Sequence, residues 1–598
     1  MGQSSSSSAS APQLTAEQLS LRLAELFAHK CFTSLELYCF RDNFRTLADT
    51  STSEGGFLYW KEDTLIRFLS LPTDPDVGPI IFQAVSNLAA FPFSSLAPAI
   101  LNYEALLKVV TLLTGRYKKA LKREPDIVKL LFRAFAVHDR ASPGHAQGEK
   151  ATAEGEHDDT VYDSDGSEDL ALDELVEDAK GSVPPDTHGV RGARIPLDNM
   201  RKLIMLLLVI APLEENQPLA DFADQFAPEN IDTLKETAEC VLRGFGKDVD
   251  AGLGISYRAF RKALKSSMPH LFNPGLSTLF LQFLYSKTLT PGSRPVTASS
   301  TTSPPETPET TLEPPPPRPP LLPNPGQILS LPRLQQLSLF LPRLFSHLHP
   351  LYAGSTSGFS LGSLEKSTTK WNAPTIFLLS GTVLPSHPIS PPARHFLDLL
   401  PPSRSPPSTS GPKPGETIIL GAYLPTPWKH SHKTHFGSPG SILFHLSPTH
   451  RTFRASTSNT DYAYFNRDDG VGFGAPLQQW KATSTASRGP FYRLGPVSLV
   501  VDHSGMEYAV FTHQGRGGAF YADEEEAEYR VVVEVEEMEV WGVGGDEERE
   551  RMRREWRWEE REALARRGLR LGQDREADRA LLEMAGLIGQ NRSGGSMG

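Results

Sequence analysis

Cysteine is nearly absent from this 598-residue chain: Cys31, Cys39 and Cys240 are the only three. So few and so scattered, they supply neither a disulfide framework nor a zinc site. The composition suits a reducing cytosol, and the thiols are expected to be buried. An excess of positive charge is lacking too, since 60 Lys and Arg stand against 71 Asp and Glu for a net charge of -11. Neutralising a phosphate backbone needs clustered basic side chains, so this balance argues against a general nucleic-acid binder. Long hydrophobic runs are missing as well. The longest strongly apolar stretch, Leu203–Pro212, is about half the ~20 residues that cross a bilayer. The N-terminus has neither the basic nor the apolar region of a signal peptide, so a cytosolic or peripherally attached protein is expected. Proline, in contrast, is abundant at 50 residues. Length and composition together predict two folded domains with connecting segments that do not fold.

Residues 1–13 read as a disordered leader. It opens Met1-Gly2-Gln3-Ser4-Ser5-Ser6, the pattern that directs a myristoyl chain to Gly2 once Met1 is removed. One such chain binds a membrane surface only marginally. No Lys or Arg precedes Arg22 and no cysteine precedes Cys31, so neither a polybasic patch nor a nearby palmitoyl site reinforces it. The second contact is expected from a membrane-bound protein partner.

Residues 14–286 read as one helical domain interrupted by an acidic insertion at 141–190. Thr15, three residues before Gln18, predicts a capped helix start, and Leu19, Leu23 and Leu26 then share a face. Further helical stretches are expected at Glu62–Leu69, Ile80–Ala89, Tyr103–Leu113, Pro125–Val137 and from Leu197 to about Tyr285. Glu154 to Asp178 holds twelve acidic residues and no Lys or Arg, the signature of a solvated segment. Within it Ser164 and Ser167, in D-S-D-G-S-E-D, suit an acidophilic kinase. Two stretches suggest degenerate, metal-free EF-hands. Asp248 and Asp250 sit at loop positions one and three and Ile255 at position eight, but Ala259 replaces the bidentate Glu that calcium needs at position twelve. Ser51–Glu62 keeps Gly56 and Glu62 in register but has serines in place of carboxylates.

A Pro-rich linker follows at 287–326. The second domain, 327–545, starts with a helical pattern at Ile328–Leu348 and continues as short strands. They run at Thr375–Leu379, Thr417–Leu424, Ser441–Leu446, Thr452–Ala455, Tyr462–Phe465, Ser498–Val501, Glu507–Phe511 and Tyr529–Glu536. A Pro/Ser-rich insertion at 385–414 is expected to loop out. Alternation in Tyr529–Glu536 predicts a strand with one buried face. Gly and Pro turns between many short strands point to an antiparallel β-sandwich, and the whole chain to an α+β class with a helical N-terminal domain. Residues 546–598 read as a charged C-terminal helix and tail, with Trp556 and Trp558 suited to docking.

Candidate chemistry is thin. Gly358-Phe-Ser360-Leu-Gly362 matches a nucleophile elbow, but no buried strand precedes it, so Ser360 is expected as a helix cap. Asp502-His503-Ser504 holds the residue types of a triad, yet neighbours on a strand point alternately and cannot form the relay. His430, His432 and His435 lack a Cys or carboxylate in the same loop to complete a metal site. Gly470, Gly472 and Gly474 form G-x-G-x-G and are expected to serve a tight turn, with no dinucleotide cofactor.

Read in order, Gly421-Ala422-Tyr423, Pro427-Trp428, Gly437, Leu443-Phe444, Gly472 and Gly474, Asp502 and Trp541 resemble the signature of the TLDc domain, flanked by helices. With the Met-Gly-Gln-Ser leader, the helical N-terminal domain and the Pro-rich insertions, the chain resembles the fungal restriction of telomere capping protein 5 family. That resemblance implies no enzyme activity, cofactor or metal. It implies a cytoplasmic protein, peripheral at the vacuolar membrane, that binds subunits of the vacuolar-type proton ATPase and influences its assembly. A genetic link to telomere capping is implied by the family name, without DNA-binding chemistry. The alternative the resemblance carries is a soluble oxidative-stress protein with a redox-related activity. Many TLDc domains carry Gly-Glu-Ser where this chain has Gly440-Ser441, so the acidic residue is absent here. The oligomeric state stays open.

Overall fold

The computed structural model describes residues 15–50, 57–93, 97–122, 124–138, 192–215, 217–285, 320–341, 344, 348–402, 411–431, 433–477, 492–523, 526–544 and 546–568. Gly2, Ser164, Ser167, the leader, the whole acidic insertion, most of the linker and the last thirty residues lie outside them.

The helical domain starts as its sequence dictates. At Ala16–Cys31 the Thr15 hydroxyl accepts from the Gln18 amide while the Gln18 side chain accepts from the Thr15 amide. Thr33 and Glu36 repeat this device at Ser34–Leu47. Each box satisfies two amides that a helix start leaves without partners. The apolar run explains itself at Leu197–Ile210, whose residues 203–210 are all buried. This helix is the centre of a globular core, and no helix among the described residues is long and apolar enough to cross a membrane.

Two helix-loop-helix pairs organise the domain. Helices Ser34–Leu47 and Glu62–Leu69 join Gly78–Ala89 and Tyr103–Leu113 through Trp60 and Leu101, which exchange backbone bonds of 2.8 and 3.0 Å. Helices Ile127–Phe135 and Leu197–Ile210 join Ile231–Arg243 and Tyr257–Ser266 through the same exchange between Ile195 and Ile255, at 3.0 and 2.9 Å. Ile255 therefore holds the position-eight place read from the sequence. The register read for Ser51–Glu62 does not hold, because its bridge falls on Trp60, two residues beyond position eight. Asp248 is already engaged: it accepts from the Ser256 hydroxyl at 2.6 Å and pairs with Arg194 at 3.5 Å. Arg194 also donates to the Gly254 carbonyl at 3.2 Å. A guanidinium thus occupies the acceptors of the loop.

Lys108 is buried among these helices, donating to the Ser20 hydroxyl at 2.7 Å and the Phe91 carbonyl at 3.0 Å, with no carboxylate paired to it among the described residues. Burial pulls its amine down to about 8. The folded state therefore binds fewer protons than the unfolded state between that value and the ordinary one, so stability rises with pH across this window. Lys108→Met is expected to raise stability at pH 7, and its advantage to shrink by about 2 kcal/mol by pH 9.5. Urea denaturation at the two pH values checks this.

Among the described residues the second domain is built on ten strands: Leu348–Ala353 (β1), Thr375–Val383 (β2), Thr417–Leu424 (β3), Ile442–Ser447 (β4), Arg451–Arg454 (β5), Ala463–Asn466 (β6), Gly470–Phe473 (β7), Val497–Val501 (β8), Tyr508–His513 (β9) and Tyr529–Val543 (β10). They form one antiparallel sheet in the order β6-β7-β8-β9-β10-β2-β3-β4-β5, with β1 also paired to β10. Strand β10 is the spine. Its Tyr529–Glu534 half pairs with β9 and its Glu539–Val543 end with β1, so these two lie end to end along one edge, while β2 runs along the other. A bulge between Val535 and Glu537 re-aims the strand between its partners. The expected sandwich is thus a single sheet folded over itself. Its halves meet in one core, with Phe377 of β2 5.2 Å from Phe473 of β7 and Phe453 of β5 5.6 Å from Phe511 of β9.

Both outer faces are covered. Over one half, Val500, Val510 and Val532 pack under Phe396 of the helix Pro391–Leu399, whose ring stacks on Tyr508 at 5.5 Å. This corrects the reading of 385–414 as a looped-out insertion. Prolines at the start of a helix cost no backbone bond, and Ala393 and Phe396 give the helix an apolar side. It also explains why Val532, on the polar side of the alternation, is buried. Over the other half lies Leu331–Ser338, a shorter helix than the 328–348 pattern suggested, since β1 begins at Leu348. This helix joins the two domains: Leu334 and Leu337 pack on the sheet, and Leu339 just beyond it enters the core of the helical domain.

Candidate functional site

The residues read as a signature turn out to be joints of the sheet. On β3, Gly421 lies under the Phe444 ring and a Cβ there would strike it. Ala422 is buried beside it, and Tyr423 packs with the outer cluster. The strand ends at Leu424, and after Pro427 the chain turns Trp428 inward, where its indole N–H donates to the Thr375 hydroxyl at 2.8 Å. Four phenylalanine rings surround that indole, Phe465 at 5.5 Å being the nearest. Gly437, at φ 117°, holds a conformation closed to other residues, and its added Cβ would lie 2.7 Å from Tyr462 Cβ. Leu443 and Phe444 of β4 are buried on opposite faces. Gly472 leaves room for the Tyr464 ring, and Gly474 at φ 71° makes the turn after β7. Asp502 accepts from the Tyr492 hydroxyl at 2.7 Å and from the Ser504 hydroxyl at 2.7 Å, closing the turn between β8 and β9. Trp541 donates its indole N–H to Glu539 at 2.8 Å. Ser441 is fully buried, and its hydroxyl accepts from the Ser438 amide at 3.3 Å. A carboxylate in this turn would find no cation among these partners.

The catalytic candidates are placed apart. Ser360 caps the helix Leu361–Thr368, its hydroxyl accepting from the Ser363 amide at 3.1 Å. Ser504 donates directly to Asp502 at 2.7 Å, while His503 reaches Tyr492 at 2.8 Å and Asp502 at 3.6 Å, so the serine bonds the aspartate itself and the three neighbours form a turn and no relay. His430 meets Glu365 at 2.6 Å, and His435 meets Asp461 at 3.0 Å and the Ala475 carbonyl at 3.0 Å. Their side chains diverge, and His432 lies outside the described residues. Among the described residues no three His, Cys, Asp or Glu are grouped to hold a metal. All three cysteines are buried free thiols, as the composition led one to expect.

Three features escaped sequence reasoning. The first is a pair of buried carboxylates on β10. Glu539, 1 % exposed, accepts from the Ile328 amide at 2.7 Å, the Leu329 amide at 3.1 Å and Trp541. Glu537 accepts from the Ser355 amide at 3.2 Å. In the sequence both look like the polar half of an alternating strand.

The second is a polar cluster inside the fold between β4, β5, β9 and β10. His445 packs on Phe511 at 4.2 Å and is held neutral, burial and Arg451 pushing it well below the imidazole range. His513 is lowered for the same reasons and accepts from the Asp523 amide at 3.0 Å. Arg451 pairs with Glu526, whose carboxyl burial pushes up to about 7 against the pull of that arginine.

The third is the seam between the domains. His450, fully buried, donates its amide to the Cys240 carbonyl at 2.8 Å, and its ring contacts the Ser267 carbonyl at 3.1 Å and Gln336 at 3.3 Å. Lys262 pairs with Asp523 at 2.8 Å across the same seam. No motif announces the seam or the Glu539 clamp, because Glu539 with Ile328, Glu537 with Ser355, His450 with Cys240 and Lys262 with Asp523 each join residues more than a hundred positions apart.

A protein-family model of the TLDc domain matches residues 322–544. Along the whole chain the similarity extends further. A Leptosphaeria maculans protein named restriction of telomere capping protein 5 is 44% identical, with all of both chains covered. The chain belongs to the restriction of telomere capping protein 5 family. Pyricularia oryzae and Neurospora crassa proteins of the same name are 42% and 40% identical, again over all of both chains. The TLDc match begins at residue 322, upstream of the 327 boundary read from composition. Packing gives the physical reason: Leu322 packs against the outer cluster of the sheet, and Gly326 lies so close to Glu539 that a Cβ would meet its carboxylate. In this restriction of telomere capping protein 5 relative, the domain therefore takes in the end of the proline-rich segment.

Proposed function

We propose that the chain is a non-enzymatic peripheral adaptor at the vacuolar membrane that binds subunits of the vacuolar-type proton ATPase and biases its assembly state. The observation that carries this reading is the employment of the TLDc signature: its glycines make room for aromatic rings, its tryptophans and Asp502 close the fold, and the triad and histidine candidates are spent on caps, turns and packing. The activity then resides in surfaces. A myristoyl group on Gly2 would supply one weak contact and the pump a second, each raising the effective concentration of the other. An adaptor of this kind shifts assembly only by binding one state of the pump more tightly than the other.

Full-length protein recovered from gently solubilised membranes is expected to bring soluble-sector and membrane-sector pump subunits with it in quantitative mass spectrometry, and their ratio reports which state it favours. Recovery without pump subunits would sink the proposal. Gly2→Ala is expected to move the protein from the membrane to the soluble fraction. A variant that stays fully membrane-bound would remove the lipid contact from the scheme.

A further inference from the structure

His450 sits at the centre of the domain seam, and its protonation state is set by its neighbours. Gln336 cannot turn its amide freely. Its Nε2 donates to the Leu446 carbonyl at 2.8 Å, and its Oε1 accepts from Arg333 at 3.1 Å. The Nε2 group therefore also faces His450 Nδ1, 3.3 Å away, as a donor. His450 Nδ1 must accept, and its Nε2–H donates to the Ser267 carbonyl at 3.1 Å. This arrangement uses the neutral imidazole alone. A second proton would set N–H against N–H at Nδ1. Turning Gln336 to relieve that would aim its amide at a guanidinium and its oxygen at a carbonyl.

Among the described residues the Ser267 carbonyl favours a charge on the ring, and burial outweighs it. Phe340 packs on it at 5.6 Å, and Gly244 is so close that a Cβ there would lie 2.8 Å from the His450 carbonyl oxygen. The titratable groups of the packed elements include Arg333, Cys240, Arg243, Lys262, Lys265, His270, His445, Arg451 and Arg454, while Asp232 and Glu236 on the Cys240 helix are exposed. The carboxylates nearby are engaged: Asp523 with Lys262, Glu526 with Arg451, and Glu239 with Arg201. His270, whose amide donates to the Leu339 carbonyl at 2.9 Å, is a second seam histidine, and among the described residues the charge acting on it is Arg454.

We propose that the seam between the helical domain and the TLDc sheet is a proton-sensitive latch, closed by neutral His450 and released when that ring and His270 gain protons. This does not rest on the pump reading. Burial lowers His450 to about 4 and, with Arg454, lowers His270 as well. Because the docked values lie below those of an exposed imidazole, docking is complete above the ordinary range and weakens as pH falls through about 6.5 toward 4.

Hydrogen–deuterium exchange of the full-length chain at pH 7.5 and 5.5, corrected for intrinsic rates, tests the latch. Protection of the peptides carrying the His450 and His270 amides is expected to fall at least about tenfold, while the β2 peptide holds. His450→Gln can accept from Gln336 and donate to Ser267 without titrating, so its fall is expected to shrink to the part that His270 contributes. Gln336→Glu gives the second proton an acceptor and is expected to shrink the fall likewise. Equal protection of the wild-type seam at both pH values, or an unchanged fall in these variants, would overturn the proposal. So would a fall at His450 without one at His270.

Discussion

Glu539→Ala is expected to cost the TLDc domain about 4 kcal/mol and to free the segment 326–329 from the sheet. The carboxylate is 1 % exposed and accepts from two backbone amides and one indole N–H. Removing it strands three buried donors at once, and each such donor loses its solvation without recompense. The size of the loss therefore reflects what is left behind more than what the bonds were worth. Glu539→Gln keeps one acceptor oxygen and turns an amino group toward the remaining donors, so an intermediate loss is expected. Chemical denaturation of the full chain and exchange at the Ile328 amide read the two effects. A loss below about 1 kcal/mol for the alanine variant would mean that the clamp is dispensable.

Trp428→Ala is expected to destabilise the domain by a similar amount, about 3–5 kcal/mol, for a different reason. Its indole fills the space among Phe377, Phe436, Phe465 and Phe473, which belong to three strands and a loop, so no single shift closes the void. Trp428→Phe separates volume from polarity. It keeps a ring and removes the N–H that bonds buried Thr375, so a loss of about 1–2 kcal/mol is expected. If both variants melted together, the hydrogen bond would outweigh the packing; if the phenylalanine variant matched wild type, packing alone would account for the residue.

What could be read in advance follows the range of the interactions. The capped start at Thr15, the helix over Leu197–Ile210 and the strand at Tyr529 rest on patterns a few residues long, and these appear where expected. So does the Ser360 cap, because four residues settle it. The helix at Pro391–Leu399 is hidden because its proline content reads as loop, while what forms it is the apolar face of β8 to β10 waiting for a cover. The sandwich is legible as a count of strands. That a single sheet makes it depends on β10 meeting β9, β1 and β2, the last two across well over a hundred residues. The candidate site divides the same way. Each signature residue could be named, but the partners of Glu539, His450 and Arg451 are chosen by the fold.

The order of the chain and the order of the sheet disagree at β10. It is the last strand to be made, yet it joins β9 and β1 to β2 at the middle of the sheet. Until it arrives, nascent β2 and β9 each present an open edge to other chains, and a nonsense product ending before Tyr529 would keep those edges permanently. Synthesis of this domain therefore culminates in one late, non-local closure, which makes the interval before it the one in which a chaperone has most to protect.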